Sequence, residues 1–202
     1  MCIMPLGGVI IMLITITGPS GSGKSTISNY LCSLNKNIVH LNIDSVGHKA
    51  LEMPNIKKRI SKKLGLQLKD GKINRKELGD LIFNNHEKMK VLSDLIWKDM
   101  ECQIDNFIAE NKDKIIVLDW ILIPKTKYFN ISDINILVQS DFNSRMNRAI
   151  VRDSIDEKKF KEREQATLDF TKNQFHFIIQ NDDLEQTRKR VKEMYDESII
   201  FW

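Results

Sequence analysis

One contiguous run carries the clearest chemistry in the chain: Gly18-Pro19-Ser20-Gly21-Ser22-Gly23-Lys24-Ser25-Thr26. It is a complete G-x-x-x-x-G-K-S/T pattern, the Walker A loop. The chemistry it suits is polyphosphate binding. Glycines at these positions let the backbone turn successive N–H groups inward around an anion, and a helix that starts at the loop adds partial positive charge. Gly18, Ser20, Gly21, Ser22, Gly23, Lys24, Ser25 and Thr26 are the candidate nucleoside-triphosphate-binding residues. Lys24 would bridge the β- and γ-phosphate oxygens, and Ser25 would offer its hydroxyl to Mg²⁺.

These residues work only if the flanking elements hold them. Leu13 to Thr17 is a short apolar run rich in β-branched residues, the pattern of a buried parallel strand. Beyond the loop, Ile27, Leu31 and Leu34 recur at helical spacing. Strand, loop and helix in that order are what separate a working Walker loop from a chance match. Further strands are expected at 37–43, 115–119, 134–138 and 177–179. In parallel α/β sheets the carboxyl ends of strands face the ligand crevice. Asp44 follows the second strand, where it could orient or deprotonate a hydroxyl, or cap the next helix. Asp119 ends the third strand in the manner of a Walker B acid that holds Mg²⁺; an acid that merely terminates a strand is the alternative. After the fourth strand, Arg145, Arg148 and Arg152 fall at i, i+3 and i+7 on one helix face. Arginine suits bidentate phosphate binding, and the charged segment that follows, to Lys172, reads as a mobile helical lid.

The rest of the composition narrows the class. The chain has 202 residues, 42% of them hydrophobic and 29% charged, so a real core is available without disulfide staples. Lys+Arg 31 against Asp+Glu 27 gives a net charge of +4 spread along the chain, which by itself selects no partner. Cys2, Cys32 and Cys102 are far apart and form no C-x-x-C, so zinc and a disulfide framework are poor readings and reduced, cytosolic thiols are expected. Asn111-Lys112-Asp113-Lys114 resembles a guanine-reading N-K-x-D but ends in lysine and precedes a strand. It therefore reads as a solvated turn, against a GTPase. The chain is too short for a motor or a helicase with several nucleotide motifs. Residues 1–11 lack a basic leader and a cleavage site, and are too broken by glycine and proline to span a membrane. They are read as an N-terminal extension or a mis-assigned start, with Met12 as the expected biological first residue.

The order of motifs resembles the dephospho-CoA kinase family from about Leu13 to Met194. Asp44-Ser45-Val46-Gly47-His48 is similar to that family's acceptor-strand motif, with Asp44 at its catalytic aspartate. Gly71-Lys72-Ile73-Asn74-Arg75-Lys76-Glu77-Leu78-Gly79 followed by Phe83 is similar to its G-x-I-D-R-x-x-L-G…F stretch, with Asn74 where aspartate is usual. Arg148 and Arg152-Asp153 fall on its lid arginines, Gln165 on a lid glutamine, and Asn181 on an asparagine that closes the last strand. Two motifs depart. Asp119-Trp120-Ile121-Leu122-Ile123-Pro124-Lys125 lacks the glutamate of D-x-P-L-L-F-E, and Trp97-Lys98 replaces a His-Pro dipeptide. Both departures lie on the expected acceptor side.

The resemblance implies a three-layer α/β P-loop kinase with a parallel five-stranded sheet. Residues 12–202 would form a single domain, with a helical acceptor-binding insert at 50–108 and a lid at 145–172. It implies phosphoryl transfer from MgATP to the ribose 3′-hydroxyl of dephospho-CoA. Lys24, Asp44 and Arg152 would be catalytic, Arg148 and Arg152 would bind ATP, and Asp44, His48 and Arg75 would bind the acceptor. Ser25 and Asp119 would hold Mg²⁺. A cytoplasmic enzyme without nucleic-acid or membrane partners is expected. A uridine- or cytidylate-type kinase, whose loop is also similar, and a non-catalytic nucleotide-binding protein are the alternatives. In the middle segment Leu78, Leu81, Ile82, Met89, Leu92, Leu95 and Ile96 read as a core stripe. Lys57-Lys58-Arg59 and Lys62-Lys63 read as a solvated helix face that could also attract an acceptor pyrophosphate. A terminal amphipathic helix is expected at 184–195, with an apolar tail to Trp202.

Overall fold

The computed structural model describes residues 12–200 apart from Asn84 and Ala166, and leaves the side chains of Arg75 and Phe83 undescribed. The N-terminal extension, the end of the apolar tail and the side chain of Arg75 lie outside the described residues. Two compact units make up the chain: Ile43–Ala109, and the described residues up to Asn42 together with those from Glu110 onward.

The second unit holds the sheet. Its strands are β1 (Met12–Thr17), β2 (Ile38–Asn42), β3 (Ile115–Asp119), β4 (Ile134–Gln139) and β5 (Phe177–Gln180), all parallel, in the order β2-β3-β1-β4-β5. β1 is central and every one of its residues is buried, which is why it carries apolar and β-branched side chains on both faces. Its alternate residues Met12, Ile14 and Ile16 join Ile27 and Leu31 of α1 (Lys24–Leu34) and Val191, Met194 and Tyr195 of α9 (Leu184–Ser198) in one core. On β1's other set, Thr15 donates to Asn135, whose amide donates to the Phe129 carbonyl at 3.2 Å. That buried pair is thereby satisfied rather than stranded. The terminal helix runs to Ser198, three residues past its expected end, and Ile199 of the tail is fully buried.

The helical unit comprises α2 (Ile43–Ala50), α3 (Pro54–Leu64), α4 (Arg75–Phe83) and most of α5 (His86–Glu110). It begins at Ile43, earlier than the expected insert boundary. Ile43, Val46 and Ala50 are buried, and a Cβ on Gly47 would meet the Met100 methyl at 3.3 Å. Its core joins Ile56, Ile60 and Leu64, at i, i+4 and i+8 on α3, to Leu78, Leu92 and Leu95. The expected stripe is incomplete, because Met89 is 41% exposed. Asp70 and Gly71 both have positive φ between the paired residues Lys69 and Lys72, a two-residue hairpin of the kind Asp-Gly favours.

α6 (Lys127–Ile131), α7 (Phe142–Asp153) and α8 (Glu157–Gln165) complete the sheet-bearing unit. The expected lid is therefore two helical pieces with Ser154 in a left-handed conformation between them, followed by a 3₁₀ turn at Phe170–Lys172. Among the thiols, Cys32 is partly buried, which raises its pKa. Cys102 is disulfide-bonded, against the expectation of three separate thiols. Among the described residues no helix is long and apolar enough to cross a membrane.

Candidate active site

The Walker loop leaves the carboxyl end of β1 and enters α1 at Gly23, whose φ of 93° favours glycine. A Cβ there would collide with the Asn181 side-chain amide. That amide donates to the Ser22 carbonyl at 2.7 Å, and the Asn181 backbone N–H donates to Gln139 at 2.8 Å. Gly21, with φ 77°, leaves no room for a Cβ against the Arg145 carbonyl. The loop is thus clamped by β5 on one side and α7 on the other. α1 has no side-chain cap and no acid in its first turn, so its N–H groups are available to an anion. Lys24 Nζ donates to the Gly18 and Pro19 carbonyls at 3.0 and 3.2 Å, which folds the ammonium back over the loop.

At the carboxyl ends of β2 and β3, Asn42 and Asp119 are register partners. Ser25 Oγ donates to Asp119 Oδ2 at 2.8 Å, and Asn42 Nδ2 donates to the same oxygen at 3.2 Å. His40 Nε2 stands 3.5 Å from it, buried and without a hydrogen-bond partner. Asp119 is 1% exposed, so its carboxylate is held by these groups rather than by bulk water.

α7 supplies the cations. Gly21, Gly23, Lys24, Ser25 and Thr26 of the loop share a cleft of 630 Å³ with Asn147, Arg148, Val151 and Arg152. Arg148 donates to the Asn181 carbonyl at 3.0 Å, to Ser140 Oγ at 3.2 Å and to the Gly21 carbonyl at 3.4 Å. Arg152 pairs with Asp153 at 2.7 Å and reaches Ser20 Oγ at 3.3 Å. Asp153 also accepts from Arg163 of α8 at 2.7 Å. The bond from Arg152 is the main reason its carboxyl titrates below the usual range, with Arg163 adding to the effect. Arg145 differs from the other two. It is buried, makes a two-bond pair with Glu164 of α8, and donates to the Ser140 and Ser20 carbonyls. Arg145 is absent from the residues lining the cleft.

Of the remaining sequence-derived candidates, Asp44 and His48 lie one turn apart on α2 in the helical unit, both exposed to solvent. Arg75 opens α4 of the same unit. Sequence reasoning missed His40, Asn42, Ser140, Asp182 and Glu164. For His40 and Asn42 the sequence shows only that they alternate on one face of a strand; that this face meets Asp119 depends on the pairing of β2 with β3. For Glu164 there is no signal, because no short-range rule pairs it with Arg145.

A Walker loop on the central strand of a five-stranded parallel sheet, with arginines of a later helix lining the same cleft, defines a P-loop kinase. The fold is shared with a Thermus thermophilus crystal structure at a TM-score of 0.81 and 19% identity, covering 93% of this chain and 97% of that one. It is shared also with a dephospho-CoA kinase from Campylobacter jejuni at 0.60 and 22% identity, covering 92% and 96%. The family model for dephospho-CoA kinase matches residues 12–186. A dephospho-CoA kinase of Fusobacterium nucleatum is 32% identical over 151 residues, 72% of this chain and 75% of the relative. The chain belongs to the dephospho-CoA kinase family.

Proposed function

We propose that this chain transfers the γ-phosphoryl group of ATP to the ribose 3′-hydroxyl of dephospho-CoA, releasing ADP and coenzyme A in the cytoplasm. The observation that carries the reading is the cleft itself, which brings Gly21 to Thr26 of the loop together with Arg148 and Arg152. Phosphoryl transfer needs positioning and charge stabilisation more than covalent help from the protein. Loop N–H groups and Lys24 would bind the β- and γ-oxygens, and Arg148 and Arg152 would close on the phosphates. To do so Arg152 exchanges Asp153 for phosphate, and Arg163 keeps Asp153 neutralised.

Ser25 Oγ and Asp119 Oδ2, 2.8 Å apart, are hard oxygen donors that fit Mg²⁺ held with phosphate oxygens and water. When bound, the ion would neutralise charge on the β- and γ-phosphates. Asn42 and His40 would orient the Asp119 carboxylate. Asp44, in the first turn of the helix that follows β2 directly, would accept the 3′-hydroxyl proton as oxygen bonds to the γ-phosphorus and the bridging oxygen leaves with ADP. His48 and Arg75 would bind the acceptor.

The test is ADP release from MgATP by the intact chain, with dephospho-CoA, uridine, cytidine or CMP offered separately. Turnover with dephospho-CoA alone is expected. Turnover only with a pyrimidine acceptor overturns the acceptor, and tight ATP binding with no turnover on any of the four overturns the activity.

A further inference from the structure

Ser140 and Asp182 have no part in the chemistry above, yet they stand behind Arg148. We propose that Asp182 and Ser140 form a positioning relay that fixes the Arg148 guanidinium in the nucleotide cleft. Ser140 Oγ lies 2.6 Å from Asp182 Oδ1 and 3.2 Å from Arg148 Nη1. An ionised carboxylate only accepts hydrogen bonds and a guanidinium only donates them. The single hydroxyl proton of Ser140 must therefore point at Asp182, which leaves an oxygen lone pair facing Arg148. Neither end of the relay can reverse.

Asp182 is itself held firmly. The Ser140 hydroxyl, Gln180 Nε2 at 2.5 Å and the Asp141 backbone N–H at 2.9 Å all donate to it, and these bonds keep its carboxyl far below the usual range. Asp182 thus joins the carboxyl ends of β4 and β5, the two strands on whose exits Arg148 rests. The acceptors of Arg148 are all uncharged: the Gly21 and Asn181 carbonyls and the Ser140 hydroxyl. The relay orients Arg148 without placing a carboxylate in direct contact with it, so its charge stays available to a nucleotide anion. Arg145 and Arg152 are each paired directly with a carboxylate. Arg148 is the one of the three that is oriented through an intermediary.

The inference rests on the nucleotide reading of the cleft but not on the acceptor, so its readout is MgADP affinity by calorimetry on the full chain. Ser140→Ala is expected to weaken MgADP about five-fold, the size of one net hydrogen bond, while Ser140→Thr keeps wild-type affinity. In an Arg148→Ala background the Ser140→Ala loss should vanish, because the relay then has nothing to position. Asp182→Ala, which removes the acceptor that fixes the Ser140 hydroxyl proton, should weaken MgADP as Ser140→Ala does. Wild-type affinity in Ser140→Ala, or an equal loss with and without Arg148, overturns the relay. Ser140 and Asp182 are not buried, and a thermal melt of each variant reports that it is folded. Failure of the wild-type chain to bind MgADP at all would instead refute the nucleotide reading.

Discussion

Arg145 and Arg148 are three positions apart on one face of α7, and their surroundings assign them opposite work. Arg145 is buried, locked to Glu164 through both terminal nitrogens, and turned onto the carbonyls of Ser20 and Ser140. It joins α7 to α8 and backs the Walker loop. Arg148 is exposed, contacts only uncharged acceptors, and lines the cleft. Spacing along a helix decides which residues share a face; the counterion each one finds decides whether its charge is used up in the fold or left for a ligand. A buried pair broken by removing one partner leaves the other charge stranded. A cation held by carbonyls at a cleft costs the fold little when removed but leaves a phosphate without its partner.

The contrast can be broken experimentally. Lys24→Ala sets the scale for loss of chemistry without loss of fold, with kcat expected to fall at least about 10²–10³-fold. A folded Lys24→Ala protein with near-normal turnover would remove the premise that this cleft is where charge develops. Arg148→Ala should lower kcat/KM for ATP by about 10²-fold while moving the melting temperature by no more than roughly 2 °C. Arg145→Ala should show the reverse balance. Stability falls by about 2–3 kcal/mol, less than for a fully buried pair because Glu164 keeps some solvent contact, and the melting temperature by roughly 5–10 °C. Activity measured well below that temperature should fall less than in Arg148→Ala. If Arg145→Ala melts normally but loses ATP turnover, the two residues have been assigned the wrong way round.

The smallest effect sharpens the comparison at the other end of the helix. Asp153, between Arg152 and Arg163, has its carboxyl held below the usual range. A carboxyl depressed on folding stabilises the native state above its unfolded pKa and loses that contribution as pH falls through the folded value. Asp153→Asn should therefore be less stable than wild type by up to about 1 kcal/mol at neutral pH, given the solvent screening of this pair. The gap should close on acidification below about pH 4. A gap that persists in acid would mean that packing, not charge, accounts for it.

How much of this was legible without coordinates depended on distance along the chain. Strand β1, the Walker loop and α1 are contiguous, so their periodicities and glycines announced the phosphate cradle. Asp119 was visible because an apolar run ends on it. Its partners were not, since Asn42 and His40 reach it only through the pairing of β2 with β3, which no local pattern states. Ile43 continues an apolar alternation and so reads as the end of a strand. In the structure it begins α2 with no intervening loop, so the helical unit starts earlier than its composition suggests. Spacing puts the three arginines on one helix, but the division of work among them depends on Glu164, which lies beyond the left-handed turn at Ser154.

The clamp that Asn181 places on the Ser22 carbonyl bears on the order in which this protein is made. Ribosomes build the Walker loop more than 150 residues before Asn181. A nascent chain stopped anywhere between them holds the full phosphate-binding sequence without the strand that braces it. β1 likewise finds both its neighbours, β3 and β4, only after the whole helical unit has been synthesised, and such distant pairings are slow to close. Nucleotide binding should therefore arise only once synthesis has passed Asn181, which makes a ligand-dependent gain in protease resistance a marker of chains that extend beyond it.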